Sequence, residues 1–156
     1  MRLLLLTLVA LAALAASASA AMPVGSATAA AAPQTAGAKP ASLKISLSLY
    51  LRCAEPGPAA IAISLPRTWR VPKTVAPTAT WINSDHPRAV TVSNHTLTLQ
   101  PAAHRGTCTV LVPGAIKVTF TRAAKLGNPF QAGRYTVRAS LGTQDFSARV
   151  TITPTS

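Results

Sequence analysis

Short runs of alternating hydrophobic and polar residues, separated by turn residues, make up most of this chain. The clearest run is 43–51, where a hydrophobic residue occupies every second position and polar residues such as Lys44 and Ser46 lie between them. Strict alternation places the two sets on opposite faces of a β-strand, so this run predicts a strand with one buried face. No window keeps the 3.6-residue period of a helix for more than a turn or two.

Eight further segments are alternating or β-branched, and each is bounded by Pro, Gly, Asn or Asp. They are 59–65, 78–82, 89–93, 96–100, 107–112, 116–121, 135–141 and 146–153. Short strands at this spacing, without helices for parallel crossovers, predict an all-β fold, an antiparallel sandwich. Ser93-Asn94 predicts a tight hairpin, and 122–130 is the one segment with the character of a helical turn.

The first twenty residues have the pattern of a secretory signal peptide. Arg2 supplies a positive charge, an apolar run follows over 3–14, and the small residues of 18–20 suit signal peptidase. The apolar run is too short for a membrane span, and no later stretch is long enough. We therefore expect an extracytoplasmic protein, secreted or loosely associated with the envelope, without a transmembrane anchor.

Residues 21–41 are almost all Ala, Pro, Gly, Ser and Thr. Such a composition buries little apolar area, so it predicts a disordered, low-complexity leader. One β-sandwich domain is then expected over 42–156. Its two cysteines, Cys53 and Cys108, are predicted to form a disulfide because an exported chain meets oxidising conditions; two buried free thiols are the alternative.

Several short motifs follow one another through this domain. They are Leu65-Pro66, Val71-Pro72, 89–101, Val118-Thr119-Phe120-Thr121, Leu126-Gly127-Asn128-Pro129 and Ala132-Gly133-Arg134-Tyr135-Thr136-Val137. Together they resemble the immunoglobulin-like β-sandwich modules of exported bacterial cell-surface proteins. The resemblance implies an antiparallel immunoglobulin-like sandwich of about seven to nine strands and a surface or matrix role, and it supplies no functional residues. The cysteine pair is not part of that pattern, and Arg67-Thr68-Trp69 stands where such modules have small residues.

Two of these motifs predict local structure. Gly133-Arg134-Tyr135, just before a strand, has the form of a tyrosine corner, in which the phenol bonds to nearby backbone; a half-buried strand tyrosine is the alternative. Asn128-Pro129 predicts a turn, because proline disfavours the helical region for the residue before it.

Charge is the strongest anomaly of the composition. The chain has 15 basic and 3 acidic residues, a formal charge of +12. Such an excess attracts anionic polymers. The charges are scattered, however, and no stacking aromatics alternate with them, so no specific nucleic-acid partner is expected. The expected partner is an anionic envelope polymer or another envelope protein.

Catalytic chemistry is poorly supplied. Glu55, Asp85 and Asp145 are the only acids, and all lie in or beside predicted turns. The chain has no nucleophile elbow and no phosphate-binding glycine loop. The sequence therefore predicts a protein that is not an enzyme and uses no cofactor.

Two groups of side chains are candidates for a site. Trp69 and Trp81 could stack on a ligand, and Arg67 and Arg70 lie beside the first of them. The three histidines are weak metal candidates, because their nine-residue spacing differs from the short spacing of typical ligand pairs. They are His86, His95 and His104.

The sequence thus favours a non-enzymatic structural or binding module at the bacterial cell surface. A small cationic secreted effector that acts on anionic membranes or polymers is the first alternative, although the chain lacks the amphipathic helix that usually inserts into membranes. An extracytoplasmic metal-binding protein is the second.

Overall fold

Nine β-strands and two 3-10 turns make up the part of the chain that the computed structural model describes, residues 25–52, 60–102 and 111–155. In chain order they are β1 (Ser26–Ala32), β2 (Ser42–Arg52), β3 (Ile61–Ser64), the turn Pro77–Ala79, β4 (Thr80–Ile82), β5 (Ala89–Ser93), β6 (Thr96–Gln100), β7 (Leu111–Phe120), the turn Arg122–Ala124, β8 (Gly133–Leu141) and β9 (Gln144–Ile152). None of the described helical segments could span a membrane. The predicted signal peptide, both cysteines and His104 lie outside these ranges.

The strands form two antiparallel sheets. The front sheet has the order β1-β2-β7-β4, and the back sheet has the order β5-β6-β3-β8-β9. The nine strands divide into four and five, the same numbers as in a variable-type immunoglobulin sandwich. The predicted all-β antiparallel sandwich is therefore confirmed. The connections differ from those of an immunoglobulin domain in two respects. β4 precedes the β5–β6 hairpin along the chain, whereas the corresponding immunoglobulin strand follows it, and the second strand of the hairpin, β6, lies beside β3, where an immunoglobulin domain has the first.

The core lies between the sheets and is built by alternation. Over 43–49 of β2 the hydrophobic residues at every second position are buried and the polar residues between them are exposed or half-buried, as predicted. Residues from β3, β6, β8 and β9 meet them from the back sheet. The largest fully buried side chains are Trp69 and Phe120.

One predicted break between strands is absent. The sequence predicted separate strands at 107–112 and 116–121, but β7 continues through Pro113, which pairs with Tyr50 of β2. Proline is tolerated where no neighbour needs its missing N–H. The strand on the other side, β4, pairs only with the far end of β7. Among the described residues, β7 therefore has a single neighbouring strand at Pro113.

The predicted disordered leader over 21–41 is wrong for the part that the structure describes. β1 pairs with β2 along its whole length. Ala31 is buried, and beyond β1 the backbone N–H of Ala36 donates to the carbonyl of Thr153 at 2.8 Å. Composition indicates only how much apolar side-chain area a segment can bury, whereas this segment is held mainly by backbone hydrogen bonds. The sandwich thus includes Ser26 and does not begin at residue 42.

Asn128, from the predicted Asn-Pro turn, fixes the segment that crosses from β1 to β2. Its side chain is fully buried, and Nδ2 donates to the carbonyls of Pro33 at 2.7 Å and Thr35 at 2.9 Å. Its backbone N–H donates to the carbonyl of Ala38 at 2.9 Å. One side-chain amide therefore satisfies two carbonyls of the loop between β1 and β2.

Replacing Asn128 by Ala should lower the free energy of unfolding by about 2–4 kcal/mol, because two loop carbonyls lose the donor that holds them and the fully buried side chain leaves a small cavity. Urea unfolding of the two proteins measures the difference. Gln131→Ala, three residues away and exposed, is the control and should change stability by less than about 0.5 kcal/mol. Equal stability of both variants and the parent would contradict the role given to Asn128.

The predicted tyrosine corner is also present. The Oη of Tyr135 donates to the carbonyl of Gln131, four residues upstream, at 2.8 Å. This bond fixes the entry of the chain into β8, the strand that positions the surface described next.

Candidate anion-binding face

The outer face of the back sheet concentrates positive charge on β8 and β9. In these strands apolar residues such as Val137 and Val150 point into the core. Alternation therefore sends Arg134, Arg138 and Arg149 outwards, and all three are exposed. The alternation that places apolar residues in the core therefore also places these three arginines on the surface.

The strand register orders these arginines into rows. Each of three successive outward rows contains one arginine and, directly opposite on the neighbouring strand, one hydroxyl residue. The pairs are Arg138 with Ser147, Arg149 with Thr136, and Arg134 with Thr151. Outward rows recur every two residues, about 7 Å along a strand. We call these six residues the arginine ladder.

The ladder carries no compensating acid. Its arginines make no salt bridge and no side-chain hydrogen bond to another residue of the described ranges. Asp145, the one carboxylate on the outer face of the described back sheet, lies opposite Ser140, one row beyond Arg138. No residue of the described ranges therefore occupies these three guanidinium groups, which leaves them available to an external anion.

An open hollow of about 370 Å³ adjoins one end of the ladder. The residues that shape it on the outer face are Ala62, Ser64, Arg138, Ser140, Asp145 and Ser147. The hollow exists because the other outward residues of these two rows, on β3, β8 and β9, have small side chains beside the longer Arg138 and Asp145. The hydroxyl of Ser64 is hydrogen-bonded to that of Thr96 at 2.9 Å, which fixes one wall.

The structure does not bring the four sequence-predicted binding residues together on one exposed surface, and none of them lies on β8 or β9. Trp69 is only 1% exposed and belongs to the core. Arg70 is used internally: its guanidinium donates to the carbonyls of Gly37 and Ala38 and lies 4.5 Å from the ring centre of Phe130. Arg67 is exposed in the turn before Trp69.

Trp81, the fourth candidate, lies on the outer side of the front sheet and is 37% exposed. Its ring centre is 3.7 Å from that of His86. The Nδ1 of His86 lies 2.7 Å from the carbonyl of Thr80 and donates to it, since a carbonyl only accepts. His86 is thus a packed side chain and not a free loop residue.

His95 occupies the predicted hairpin turn between β5 and β6. The turn is confirmed, with Asn94 at φ 46° and His95 at φ 65°, as a two-residue type I′ turn requires. Within the described ranges no three potential metal ligands come together.

The ladder was not predicted, because its arginines are spread along the sequence. One feature of the sequence does indicate it: in both strands the arginines occupy the positions that alternate with the buried residues. The alternation of buried and exposed positions, however, does not show which strands are neighbours or which residues face each other.

Fold and surface together define a two-sheet antiparallel β-sandwich with a cationic outer face. No protein-family model matches the chain, and no curated protein matches it. Among solved structures, the chain is similar to BslA, a bacterial hydrophobin, with a TM-score of 0.53 and 16% identity, over 84% of this chain and 99% of BslA. This likeness is one of fold.

A second solved structure is described as manganese lipoxygenase of Gaeumannomyces graminis with a partial structure of zonadhesin of Komagataella pastoris. It aligns with a TM-score of 0.45 and 16% identity, over 87% of this chain and 48% of the other.

Proposed function

We propose that this protein is an exported, non-enzymatic module that binds an anionic polymer at the bacterial cell surface through the arginine ladder. The observation that carries the proposal is the register of β8 and β9, which sets three unpaired arginines in successive rows. Guanidinium groups bind carboxylates, phosphates and sulfates through parallel hydrogen bonds. The hydroxyl residue opposite each arginine adds a further donor.

The rigidity of the face favours a linear ligand. Both strands are nine residues long and paired throughout, so the rows keep their spacing without ordering a loop. Binding to a preorganised surface avoids much of the entropy cost of association. A polymer lying along the strands would meet one arginine about every 7 Å.

The fold likeness to a hydrophobin raises a different activity, assembly at an interface. Surface activity needs a contiguous exposed apolar patch. In the described ranges the exposed large hydrophobic side chains are Trp81 and Phe130, which lie on separate elements, the second at 73% exposure. The surface chemistry of the described residues therefore supports polymer binding over interfacial assembly.

Neutralising the ladder should remove binding. In the triple variant Arg134→Gln, Arg138→Gln, Arg149→Gln, we expect the affinity for polygalacturonate and for isolated cell wall to fall at least about 100-fold, since each charge-assisted contact contributes about 1.5–3 kcal/mol when it is made. Titration at about 0.15 M salt, where the Debye length is about 8 Å, limits the contribution of distant charges. The parent should also lose affinity with salt at a logarithmic slope of about −2 to −3, as expected for three released counterions.

A matched control separates the ladder from net charge. Lys44→Gln, Lys117→Gln, Arg122→Gln removes the same charge from exposed positions away from the back sheet, and its affinity should stay within about threefold of the parent. Equal losses in both variants would show that net charge alone drives binding. Retention of affinity by the ladder variant, with preferential binding to anionic lipid vesicles, would favour the cationic effector.

A further inference from the structure

We propose that the hollow beside Arg138 is a subsite for one acidic sugar unit, which makes the anionic polymer an acidic polysaccharide. This inference rests on the proposed function and names its substrate class. The observations behind it are the hollow and Asp145, since the binding of an anion by the ladder requires neither of them.

The size and shape of the hollow suit a single sugar unit. About 370 Å³ is near the lower end of the range of small-molecule sites. The hollow is open to solvent and lies in line with the rows of the ladder, so a sugar could occupy it while the rest of a chain continues along β8 and β9.

The chemistry of the hollow combines opposite charges. Arg138 and the Ser140–Asp145 pair occupy successive outward rows, about 7 Å apart. The carboxylate of Asp145 lies beside the arginine ladder and repels a polymer whose only charged groups are phosphates. An acidic sugar presents a carboxylate to Arg138 and hydroxyl groups that donate to Asp145. Serine hydroxyls at Ser140 and Ser147 can donate or accept.

Removing the charge of Asp145 tests this assignment, because the direction in which the affinity changes depends on what Asp145 does. Removing a negative charge from the face strengthens the binding of any polyanion by electrostatics alone. If Asp145 instead accepts hydrogen bonds from sugar hydroxyls, Asp145→Asn should weaken polygalacturonate binding about 10-fold while strengthening the binding of linear polyphosphate about twofold or more. Asp85→Asn, which removes the same charge from a turn near the front sheet, should leave both affinities within about twofold.

A second variant tests whether the ligand occupies the hollow. Ala62 lies on the outer side of β3 and lines the hollow, so Ala62→Gln should fill it without changing charge. Polygalacturonate binding should fall several-fold and polyphosphate binding should not change; thermal melting confirms that both variants fold.

The outcomes separate the two proposals. Stronger binding of both polymers by Asp145→Asn, or unchanged polysaccharide binding by Ala62→Gln, would overturn the sugar subsite and leave the ladder intact. If the ladder variant of the previous subsection binds both polymers as tightly as the parent, the proposed function fails and the subsite with it.

Discussion

Trp69→Ala is expected to destabilise the protein by about 3–5 kcal/mol, because it removes the largest fully buried side chain and leaves a cavity in the core. Folded domains have only about 5–15 kcal/mol of stability, so a substantial fraction of this variant should be unfolded at moderate temperature. Trp69→Phe should cost less, since it keeps most of the ring volume. It also sacrifices no hydrogen bond within the described residues, where the indole Nε1 has no partner.

Trp81→Ala provides the matched control. Trp81 is partly exposed at the edge of the front sheet, and its replacement should cost no more than about 1 kcal/mol. Guanidinium unfolding measures the free energies. Because the chain has two tryptophans, the emission of each single variant reports the remaining indole, and acrylamide should quench Trp81 far more than Trp69. If Trp69→Ala retained full stability and lost polymer binding, Trp69 would belong to a ligand site.

Removing the predicted disulfide is expected to cost about 4 kcal/mol in the Cys53→Ser, Cys108→Ser variant, by the loop-entropy model for a loop of this length. Both cysteines lie outside the described residues, near the described ends of β2 and β7. β2 and β7 pair as far as Arg52 opposite Leu111, and the cysteines lie one residue after the first and three residues before the second. The chain thus leaves the sheet at neighbouring points on its way to each cysteine.

Intact mass before and after reduction checks the bond directly, since reduction should add the mass of two hydrogen atoms. Thermal melting then gives its stabilisation, with the reduced parent and the double serine variant expected to melt together. Two alkylatable thiols in the unreduced, folded protein would contradict the pairing, and a covalent dimer would show that the bond is intermolecular.

Alternation along the sequence predicted much of the fold. It placed β5 and β6 at their observed bounds and assigned the buried and exposed faces of β2, because side chains on a strand alternate whatever the strand pairs with. The tyrosine corner and the hairpin turn were predictable for a similar reason, since each depends on residues close in sequence.

The elements that the sequence analysis misjudged depend on partners distant in sequence. β1 is a run of small residues whose order comes from pairing with β2. Pro113 is accommodated inside β7 because β4 is short. Asn128 bonds to carbonyls more than 90 residues away, at Pro33 and Thr35. In each case composition near the residue does not show what lies beside it.

The candidate site shows the same division. The sequence by itself determined that the protein carries a large positive charge and that two of the ladder arginines, Arg138 and Arg149, alternate with apolar residues in predicted strands. Only the tertiary structure decided that these arginines share one face, in successive rows with a hydroxyl residue opposite each, and that Trp69 is buried. The physical reason is that alternation fixes the face a side chain takes, whereas its neighbours are fixed by strand register, which depends on how two separate segments pack together.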